Sequence, residues 1–493
     1  MNKSIAIIAL SAIASASIAS AEPSGIFRQT HEFGFGEKSS LDPISEGRVF
    51  QITDKIMNRL VRPDLDRKPS PDLAVSWEPN ADGTEWTFHL REGVKFHDGT
   101  DLDSEDVVYS FTRVKDPQLD SPARSAISMV DSIAAVDPLT VKMTLSAPFA
   151  DLPFQLMDYR LRIIPSGSGD SIAQSGIGTG PFKVETFDAQ GTTVLSAFND
   201  YFEGPPKLAA MEIFAIPDAQ ARIQALLGGQ IDMLRDLTKQ QSTMLMSSDK
   251  FEIQEIVTGT WQGMVMRTDT PPFDDPRVRK AVRLAADREV LVQLVFAGGA
   301  LPACDSPVGR SDQYYVARDC PQDIEGAKAL LNEAGYPDGI EFELHISTLE
   351  PAWVTYAEAY QQQAAEAGIT VHIVQVPASG YWNDAWMKKP VSMTRWFSRP
   401  ADLILNEAFV SGAKWNESFQ NNETFDNLLV AARKEIDFGE RRNLYVQAQD
   451  ILWEEGGVLI PYHLVKYVGL SSRIKNMDNT ERDGIRWHLV SVD

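Results

Sequence analysis

Between residues 323 and 398 helix and strand patterns alternate three times, which strongly limits the folds open to the chain. The predicted helices are Asp323–Ala334, Pro351–Ala367 and Ser379–Lys388, and the predicted strands are Ile340–Ile346, Ile369–Val376 and Val391–Ser398. Gly335 and Gly368 directly follow the first two helices, and glycine is common immediately after the end of a helix. Elements of these lengths in this order predict an α/β fold, with a largely parallel sheet covered by helices.

In open α/β sheets, ligands bind outside the carboxyl ends of the strands. This rule selects the loops Ser347–Pro351, Pro377–Trp382 and Ser398–Asp402. Aromatic and charged residues concentrate in and around the last two loops, and further candidates lie just downstream and within Thr258–Met266. The predicted ligand-binding residues are Arg399, Trp396, Trp382, Trp415, Trp261, Asp402, Tyr381 and Asn416, with Arg395 as a weaker candidate.

The length of 493 residues predicts two or three domains rather than one. The formal net charge of −23 argues against a nucleic-acid-binding protein, which would carry a basic patch. The seven histidines are scattered along the chain, so their spacing indicates no metal site.

The first 21 residues have the features of a secretory signal peptide. Lys3 supplies the positive charge, an apolar run begins at Ile5, and Ala19-Ser20-Ala21 is a cleavage sequence of small residues. We therefore expect cleavage after Ala21 and export of the mature chain. No later segment is long and apolar enough to predict a membrane span.

The only two cysteines, Cys304 and Cys320, are close in sequence. In an exported protein such a pair is more typical of a disulfide than of a metal or redox site. We predict that they form a disulfide, which would stabilise the fold by roughly 3 kcal/mol in the chain-entropy model.

Glu85–Val114 is predicted to form a strand, a tight loop and a capped helix. The strand Glu85–Leu90 alternates apolar and polar residues, and Asp98-Gly99 is a turn dipeptide. Asp103 is the predicted N-cap of the helix, with Asp106 at the third helical position. The glycines of Gly176–Gly180 are followed by a proline and a strand pattern instead of a helix, which argues against a phosphate loop.

Three other segments have weaker patterns. Val61–Trp77 is predicted to be a loop, because Pro69-Ser70-Pro71 should exclude a regular element. Asp131–Leu145 is predicted to form two strands separated at Asp137-Pro138. Two separate strands are also predicted at Val458–Tyr462 and Tyr467–Leu470.

Three stretches resemble the sequence signatures of one family. They are Leu90–Gly99 together with Glu105–Val108, then Gly178–Phe182, then Phe273–Val282. The chain is similar to the large periplasmic solute-binding proteins of ABC importers, of the dipeptide, oligopeptide and nickel-binding type. The resemblance covers essentially the whole mature chain and indicates the family more strongly than the ligand.

The resemblance implies a two-lobed periplasmic binding protein fold of type II, with an extra α+β subdomain. Lobe I is expected to comprise 22–56, 176–263 and 468–493, the inserted subdomain 57–175, and lobe II 264–467. It further implies a periplasmic monomer without a cofactor or enzymatic activity. Such a protein captures a peptide or peptide-like solute and delivers it to membrane permease subunits.

The chain departs from the family pattern at Arg399. In peptide-binding relatives the corresponding strand end carries an aspartate that pairs with the α-amino group of the ligand. The inverted charge favours a carboxylate-bearing ligand, such as an acidic or modified peptide or an opine-like conjugate. Two alternatives remain: Arg399 pairs internally with Asp402 or Glu407, or the alignment shifts and Asp402 is the amine anchor.

The other site residues and the function also have alternatives. Trp382, Trp396 and Trp415 either stack on a ligand or pack in the core. Trp261 either contacts a ligand or packs in the hinge between lobes. An opine or oligosaccharide is an alternative ligand, and a secreted hydrolase is an alternative of another class. The hydrolase is disfavoured because the sequence has no G-x-S-x-G or H-E-x-x-H motif.

Overall fold

The computed structural model of the protein describes residues 22–31, 39–45, 48–478 and 484–493. The predicted signal peptide and its cleavage site lie outside the described residues. None of the helices in these ranges is long and apolar enough to cross a membrane.

The strands, numbered in chain order, are β1 Ile26–His31, β2 Val61–Pro63, β3 Pro69–Pro71, β4 Ala74–Pro79, β5 Glu85–Leu90, β6 Val130–Asp137, β7 Thr140–Leu145, β8 Phe182–Thr186, β9 Thr192–Ala197, β10 Ala210–Ala215, β11 Met233–Leu237, β12 Phe251–Met266, β13 Ala300–Pro302, β14 Ile340–Ile346, β15 Ile369–Gln375, β16 Val391–Trp396, β17 Val458–Ser471, β18 Ile474–Lys475 and β19 Ser491–Val492.

The α-helices are α1 Phe50–Ile56, α2 Ser104–Lys115, α3 Leu152–Gln155, α4 Ile172–Ser175, α5 Ala219–Leu227, α6 Lys239–Met246, α7 Pro276–Leu284, α8 Arg288–Phe296, α9 Ile324–Glu333, α10 Pro351–Glu366, α11 Tyr381–Asp384, α12 Ala401–Ala408, α13 Glu423–Lys434 and α14 Phe438–Glu455.

One large sheet runs through the molecule in the order β15-β14-β16-β12-β17-β11-β1-β10-β9-β8, with β13 paired to β17 beside this path. β14 and β15 are parallel along their whole length, from Ile340 opposite Ile369 to Ile346 opposite Gln375. β14 is also parallel to β16. The parallel sheet predicted from the alternating helices and strands is therefore confirmed in this part of the chain.

The long strands β12 and β17 join the two halves of this sheet. They are antiparallel from Phe251 opposite Ser471 to Val265 opposite Val458, and their register shifts between Val257 and Trp261. On one side of the shift β17 pairs with β11, and on the other side β12 pairs with β16. The continuous pairing with β12 explains why β17 is one strand and not the two that we predicted.

Two glycines lie in contact beside the register shift. A Cβ atom added at Gly309 would lie 2.5 Å from the Cα of Gly259. The amide of Gly259 donates to the hydroxyl of Ser398, and the amide of Ser398 donates to the hydroxyl of Thr260. The crossing point of β12 is therefore fixed both by close backbone packing and by hydrogen bonds to the chain that follows β16.

Separate hydrophobic cores lie on either side of the crossing strands. Phe27 and Ile256 belong to one core, whereas Leu344 and Trp353 belong to another. A further core contains Phe88. Separate cores are typical of a multidomain chain. The expected lobe boundaries at 263/264 and 467/468 fall within β12 and β17, so the division of the chain into lobes stays a prediction.

Glu85–Val114 folds as its sequence predicts. In β5 the alternate residues Trp86, Phe88 and Leu90 are buried within the antiparallel sheet β4-β5-β7-β6. At the start of α2 the side chain of Asp103 accepts from the helix backbone, and that of Asp106 accepts from the amide of Asp103. This reciprocal arrangement is a capping box, which satisfies amide groups that a helix start leaves unpaired.

Other predictions were wrong. Val61–Trp77 contains strands, because β2 pairs with β3 and leaves Arg62 opposite Ser70 between the prolines. Prolines are tolerated in so short an edge pair, where few backbone donors are needed. The predicted helix Ser379–Lys388 shortens to α11.

The two predicted strands within Asp131–Leu145 are confirmed as β6 and β7.

The disulfide between Cys304 and Cys320 is confirmed. Their Cα atoms are 5.4 Å apart, and the bond spans a sequence separation of 16 residues. The carbonyl of Cys320 also accepts a hydrogen bond from the guanidinium of Arg288. This arrangement ties the loop before α9 to the start of α8.

Two of the stretches that resemble the family signatures contact one another. The Nδ1 atom of His97 accepts from the amide of Gly178 at 3.2 Å, and its Nε2 atom donates to the carbonyl of Gly180 at 3.0 Å. A side chain at either glycine would clash with the backbone of Ile56. His97 of the first stretch therefore holds the glycines of the second stretch against the end of α1.

Burial lowers the pKa of His97 to about 4, from 6.5 for an ordinary histidine. The folded protein therefore keeps His97 neutral at pH values where the unfolded chain protonates it. Its contribution to stability is complete above about pH 7 and is lost as the pH falls from 6.5 towards 4. Burial lowers the pKa of His463 and His488 to about 4 in the same way.

We predict that the melting temperature of the mature protein falls steeply between pH 6.5 and pH 4.5. The variant His97→Gln should melt at a lower temperature at pH 7.5 and lose less of its stability on acidification. His372→Gln, at a largely exposed histidine, is the matched control and should follow the native protein. An acid dependence identical in His97→Gln and the native protein would contradict this role of His97.

Candidate ligand-binding site

The carboxyl ends of β14 and β16 point to the same edge of the sheet, where β16 extends beyond the end of β14. The two strands are parallel neighbours, with His345 opposite Ser392. β16 is paired on its other side with β12, so this edge adjoins the crossing strands. A crevice outside the carboxyl ends of parallel strands is where open α/β folds bind ligands.

Arg399 lies just beyond the end of β16, against two tryptophans. Its guanidinium carbon is 4.8 Å from the ring centre of Trp396 and 5.7 Å from that of Trp415. Its Nε atom is 3.2 Å from Oε2 of Glu407, which forms an ion pair. Burial lowers the pKa of Arg399, partly opposed by the charge of Glu407. Of the two internal partners weighed from sequence, Arg399 pairs with Glu407 and not with Asp402.

Three of the predicted tryptophans form one row. The rings of Trp261 and Trp396 are stacked with centres 6.3 Å apart, and Trp415 meets Trp396 edge-on at 6.0 Å. The indole nitrogen of Trp396 donates to Glu417, and burial raises the pKa of that carboxyl to about 7. Trp261 and Trp396 are 1% and 6% exposed and belong to a buried core, so only Trp415 is partly exposed beside Arg399.

A second charged group faces Arg399 from residues 157–162 of the predicted inserted subdomain. Asp158 receives a hydrogen bond of 2.7 Å from Nε of Arg160, and Arg48 donates to the hydroxyl of Tyr159 at 2.6 Å. Although burial raises the pKa of Asp158, the hydrogen bond and charge of Arg160 lower it overall. These charges lie close enough to influence Arg399 electrostatically.

A family model described as bacterial extracellular solute-binding proteins, family 5, middle region, matches residues 68–416. The chain belongs to this family. The glutathione-binding protein GsiB of Escherichia coli K12 is 30% identical to this solute-binding protein over 429 residues, which cover 83% of each chain.

Solved structures of solute-binding proteins have the same fold. HbpA2 from Haemophilus parasuis superposes with a TM-score of 0.85 at 24% identity, over 95% of this chain and 100% of the other. AgaA from A. tumefaciens R10, in complex with agropinic acid, gives 0.74 at 25% identity, over 95% and 99%. The two-lobed periplasmic binding protein fold is thus confirmed.

The role of this solute-binding protein follows from its family. It is the substrate-binding component of an ABC importer, and it delivers a small solute to the permease subunits. The relatives that it matches are substrate-binding proteins of the periplasm.

Asp402, the predicted alternative anchor for a ligand amine, is held by internal hydrogen bonds. Both of its carboxylate oxygens accept from Arg433 at 2.8 Å, and Oδ1 also accepts from the hydroxyl of Tyr445 and the amide of Asn406. Its side chain is 2% exposed. A carboxylate with all of these partners has no free face for an incoming ammonium group.

Tyr381 and Asn416, also predicted ligand contacts, make internal hydrogen bonds in the structure. The hydroxyl of Tyr381 is buried between the carbonyls of His345 and Met393, which it can bond at 3.1 and 2.6 Å. The amide of Asn416 donates to two backbone carbonyls, and its oxygen accepts from Ser418 and Gln420. Sequence reasoning placed both in the correct region but could not determine which way they point.

Trp382 belongs to a different group from the other predicted tryptophans. It packs edge-on against Trp353 and Trp386, and the guanidinium of Arg395 lies 6.0 Å from its ring centre. Arg395 forms an ion pair with Glu350, which sequence reasoning missed. Its position in the sequence could have indicated Glu350, because this residue lies within the loop that was selected at the carboxyl end of β14.

A buried contact joins residues 149–151 to the second half of the chain. Asp151 receives a hydrogen bond of 2.8 Å from the hydroxyl of Tyr314 and forms an ion pair with Arg441. The amide of Ala150 donates to the carbonyl of Arg433. The predicted inserted subdomain therefore packs against α13 and α14 through polar as well as apolar contacts.

We predict that Asp402→Asn destabilises the fold by about 3 kcal/mol, since it leaves the half-buried charge of Arg433 without its partner. Thermal unfolding of the mature protein measures this effect. Asp450→Asn is the matched control, because Asp450 pairs with Arg318 at the surface and such pairs contribute little. Equal melting temperatures for the two variants would contradict the structural role of Asp402.

Proposed function

We propose that this protein captures a peptide-like solute bearing a carboxylate and holds it at Arg399 for import. The observation that carries this proposal is the state of the Arg399 side chain. It donates no aligned hydrogen bond to any residue in the described ranges, although it forms the ion pair with Glu407. A guanidinium has five N–H donors, and a carboxylate matches its geometry.

The surrounding charges support an anionic ligand. The charges of Arg48 and Arg160 act to lower the pKa of Asp158, and those of Arg160 and Arg399 act to lower the pKa of Glu407, so each carboxylate has two cationic neighbours. The desolvated guanidinium above Trp396 and Trp415 gains more from a carboxylate than it would in water. A ligand carboxylate would complete the pairing of this group.

The named ligands of the relatives are consistent with this class. GsiB is named for glutathione, a tripeptide with two free carboxylates. DppA from Helicobacter pylori was solved with the peptide STSA, and AgaA with agropinic acid. The last of these supports an opine-like conjugate as the second candidate ligand, because such a compound also carries a carboxylate.

The proposal includes the remaining expectations from sequence. Trp415 and Trp382, which are partly exposed, provide aromatic contacts for the ligand, and Trp396 and Trp261 pack behind Arg399 in the core. The chain is exported with cleavage after Ala21 and works in the periplasm as a monomer. It binds its solute without chemical turnover.

Two substitutions of opposite sign test the site. Arg399→Gln should weaken the binding of glutathione and acidic peptides about 10- to 100-fold, the value of one charged hydrogen-bonded contact. Glu407→Gln should strengthen binding, because it removes the carboxylate that competes for Arg399. Isothermal titration calorimetry on the mature protein measures both.

Arg318→Gln is the control for this pair of variants, because its partner Asp450 is at the surface. A loss of affinity in both Arg399→Gln and Glu407→Gln would indicate structural damage instead of a charge effect. Unchanged affinity in Arg399→Gln would place the anchor elsewhere. Mass spectrometry of the incubated ligand completes the test, since a reaction product would identify a hydrolase.

A further inference from the structure

Glu350 and Arg395 form a separate ion pair at the same edge of the sheet. Glu350 directly precedes α10, and its Oε1 atom accepts from Nη1 of Arg395. Its Oε2 atom accepts from the amide of Gln262 at 3.1 Å. The oxygen of Gln262 in turn lies 3.4 Å from the hydroxyl of Tyr462. The carboxylate is thus held in place by residues from β16 and β12.

This group is incompletely paired and open to solvent. Of the Arg395 nitrogens, only Nη1 donates an aligned hydrogen bond within the described ranges. The side chains of Arg395 and Glu350 are 35% and 19% exposed. Burial lowers the pKa of Arg395. The unpaired N–H groups of the guanidinium can therefore donate to the carboxylate of a ligand in the crevice.

Aromatic rings flank this guanidinium. The Arg395 guanidinium lies 5.5 Å from the ring centre of Phe397 and 6.0 Å from that of Trp382. Phe397 is 54% exposed, which is unusual for a large apolar residue beside a buried strand. Exposed aromatic rings around a charged group are typical of a binding surface.

The two arginines flank the end of β16. Arg395 lies opposite Gln262 and Trp396 opposite Trp261, so their side chains point to opposite faces of the sheet. Arg399 lies against Trp396 and therefore on the other side from Arg395. The extended chain from Arg395 to Arg399 spans at most about 14 Å between their Cα atoms.

We infer that Glu350 and Arg395 form a subsite for an unblocked α-amino-acid group, with the ammonium on Glu350 and the carboxylate on Arg395. This inference rests on the proposed function and adds a ligand class to it. An ammonium and a carboxylate share one carbon in γ-linked glutamyl peptides and in amino-acid conjugates joined through the side chain. The amino end of an ordinary α-linked peptide has the ammonium without that carboxylate.

In this arrangement Arg399 holds the second carboxylate, at the far end of the ligand. The ion pair between Arg395 and Glu350 stays intact when the ligand binds, because Arg395 has further N–H donors and Glu350 has further lone pairs. The subsite therefore distinguishes γ-linked from α-linked isomers of equal charge. Such discrimination arises because a misplaced isomer leaves Glu350 or Arg395 without its charged partner on the ligand.

The test uses glutathione and three analogues with the full mature chain. α-Glutamyl-cysteinylglycine is the isomer, glutaryl-cysteinylglycine lacks only the ammonium group, and 4-aminobutyryl-cysteinylglycine lacks only the α-carboxylate. Calorimetry should show that glutathione binds the native protein about tenfold or more tightly than any analogue, the value of one charged hydrogen bond.

The variants should match the analogues one to one. Glu350→Gln should weaken glutathione binding about tenfold and leave glutaryl-cysteinylglycine unaffected, because that analogue has no ammonium to lose. Arg395→Gln should weaken glutathione binding similarly and leave 4-aminobutyryl-cysteinylglycine unaffected. Glu343→Gln is the control, at an exposed carboxylate on β14.

Three outcomes would overturn the inference. The first is an equal weakening of all four ligands by either variant, which would indicate a structural role only. The second is equal binding of the α- and γ-isomers by the native protein. The third is no binding of any of the four ligands. Binding of other acidic peptides that is lost in Arg399→Gln would then preserve the proposed function alone, whereas no binding of any carboxylate-bearing peptide would remove both.

Discussion

The pairing of β12 with β17 is the interaction on which the rest of the structure depends. These strands are the only members of the main sheet's described path that extend into both halves, so every other element is positioned relative to them. Their register shifts between Val257 and Trp261, where the regular ladder is interrupted. The ladder is irregular there and again between Gln262 and Met264, and closure around a solute is expected to bend the molecule in this region. The candidate site begins at the same place, because Trp261 lies at the shift.

The chemistry of the site depends on guanidinium groups held beside aromatic rings. Burial costs an arginine much of its hydration, and Arg399 regains part of this through Glu407 and the neighbouring indoles. Arg395 is in a similar position between Trp382 and Phe397. The partly paired groups are stable enough to keep the unliganded protein folded, yet they retain hydrogen-bonding capacity for a solute. Ligand binding then favours the closed form only through the contacts that differ between open and closed states.

Local patterns predicted much of the fold and little of the site. The capping of α2 and the parallel pairing of β14 with β15 depend on neighbouring residues or on regular alternation, which a single sequence displays. The internal pairing of Asp402 was not predicted because its partner Arg433 lies 31 residues away on α13. The same limit applies to Glu350, whose partner Arg395 comes from another strand. Contacts between distant residues depend on the completed fold, and the choice between ligand contact and internal pairing depends on those contacts.

The contact between Gly259 and Gly309 has a consequence for how such proteins diversify. Neither position touches the charged groups of the site, yet even one methyl group there would force β12 away from the facing loop. The amide of Gly259 donates to the hydroxyl of Ser398, and the amide of Ser398 donates to the hydroxyl of Thr260. The displacement would therefore reach the chain that carries Arg399. A substitution remote from the solute can therefore retune affinity by changing the resting angle between the lobes, while the residues that contact the solute stay the same.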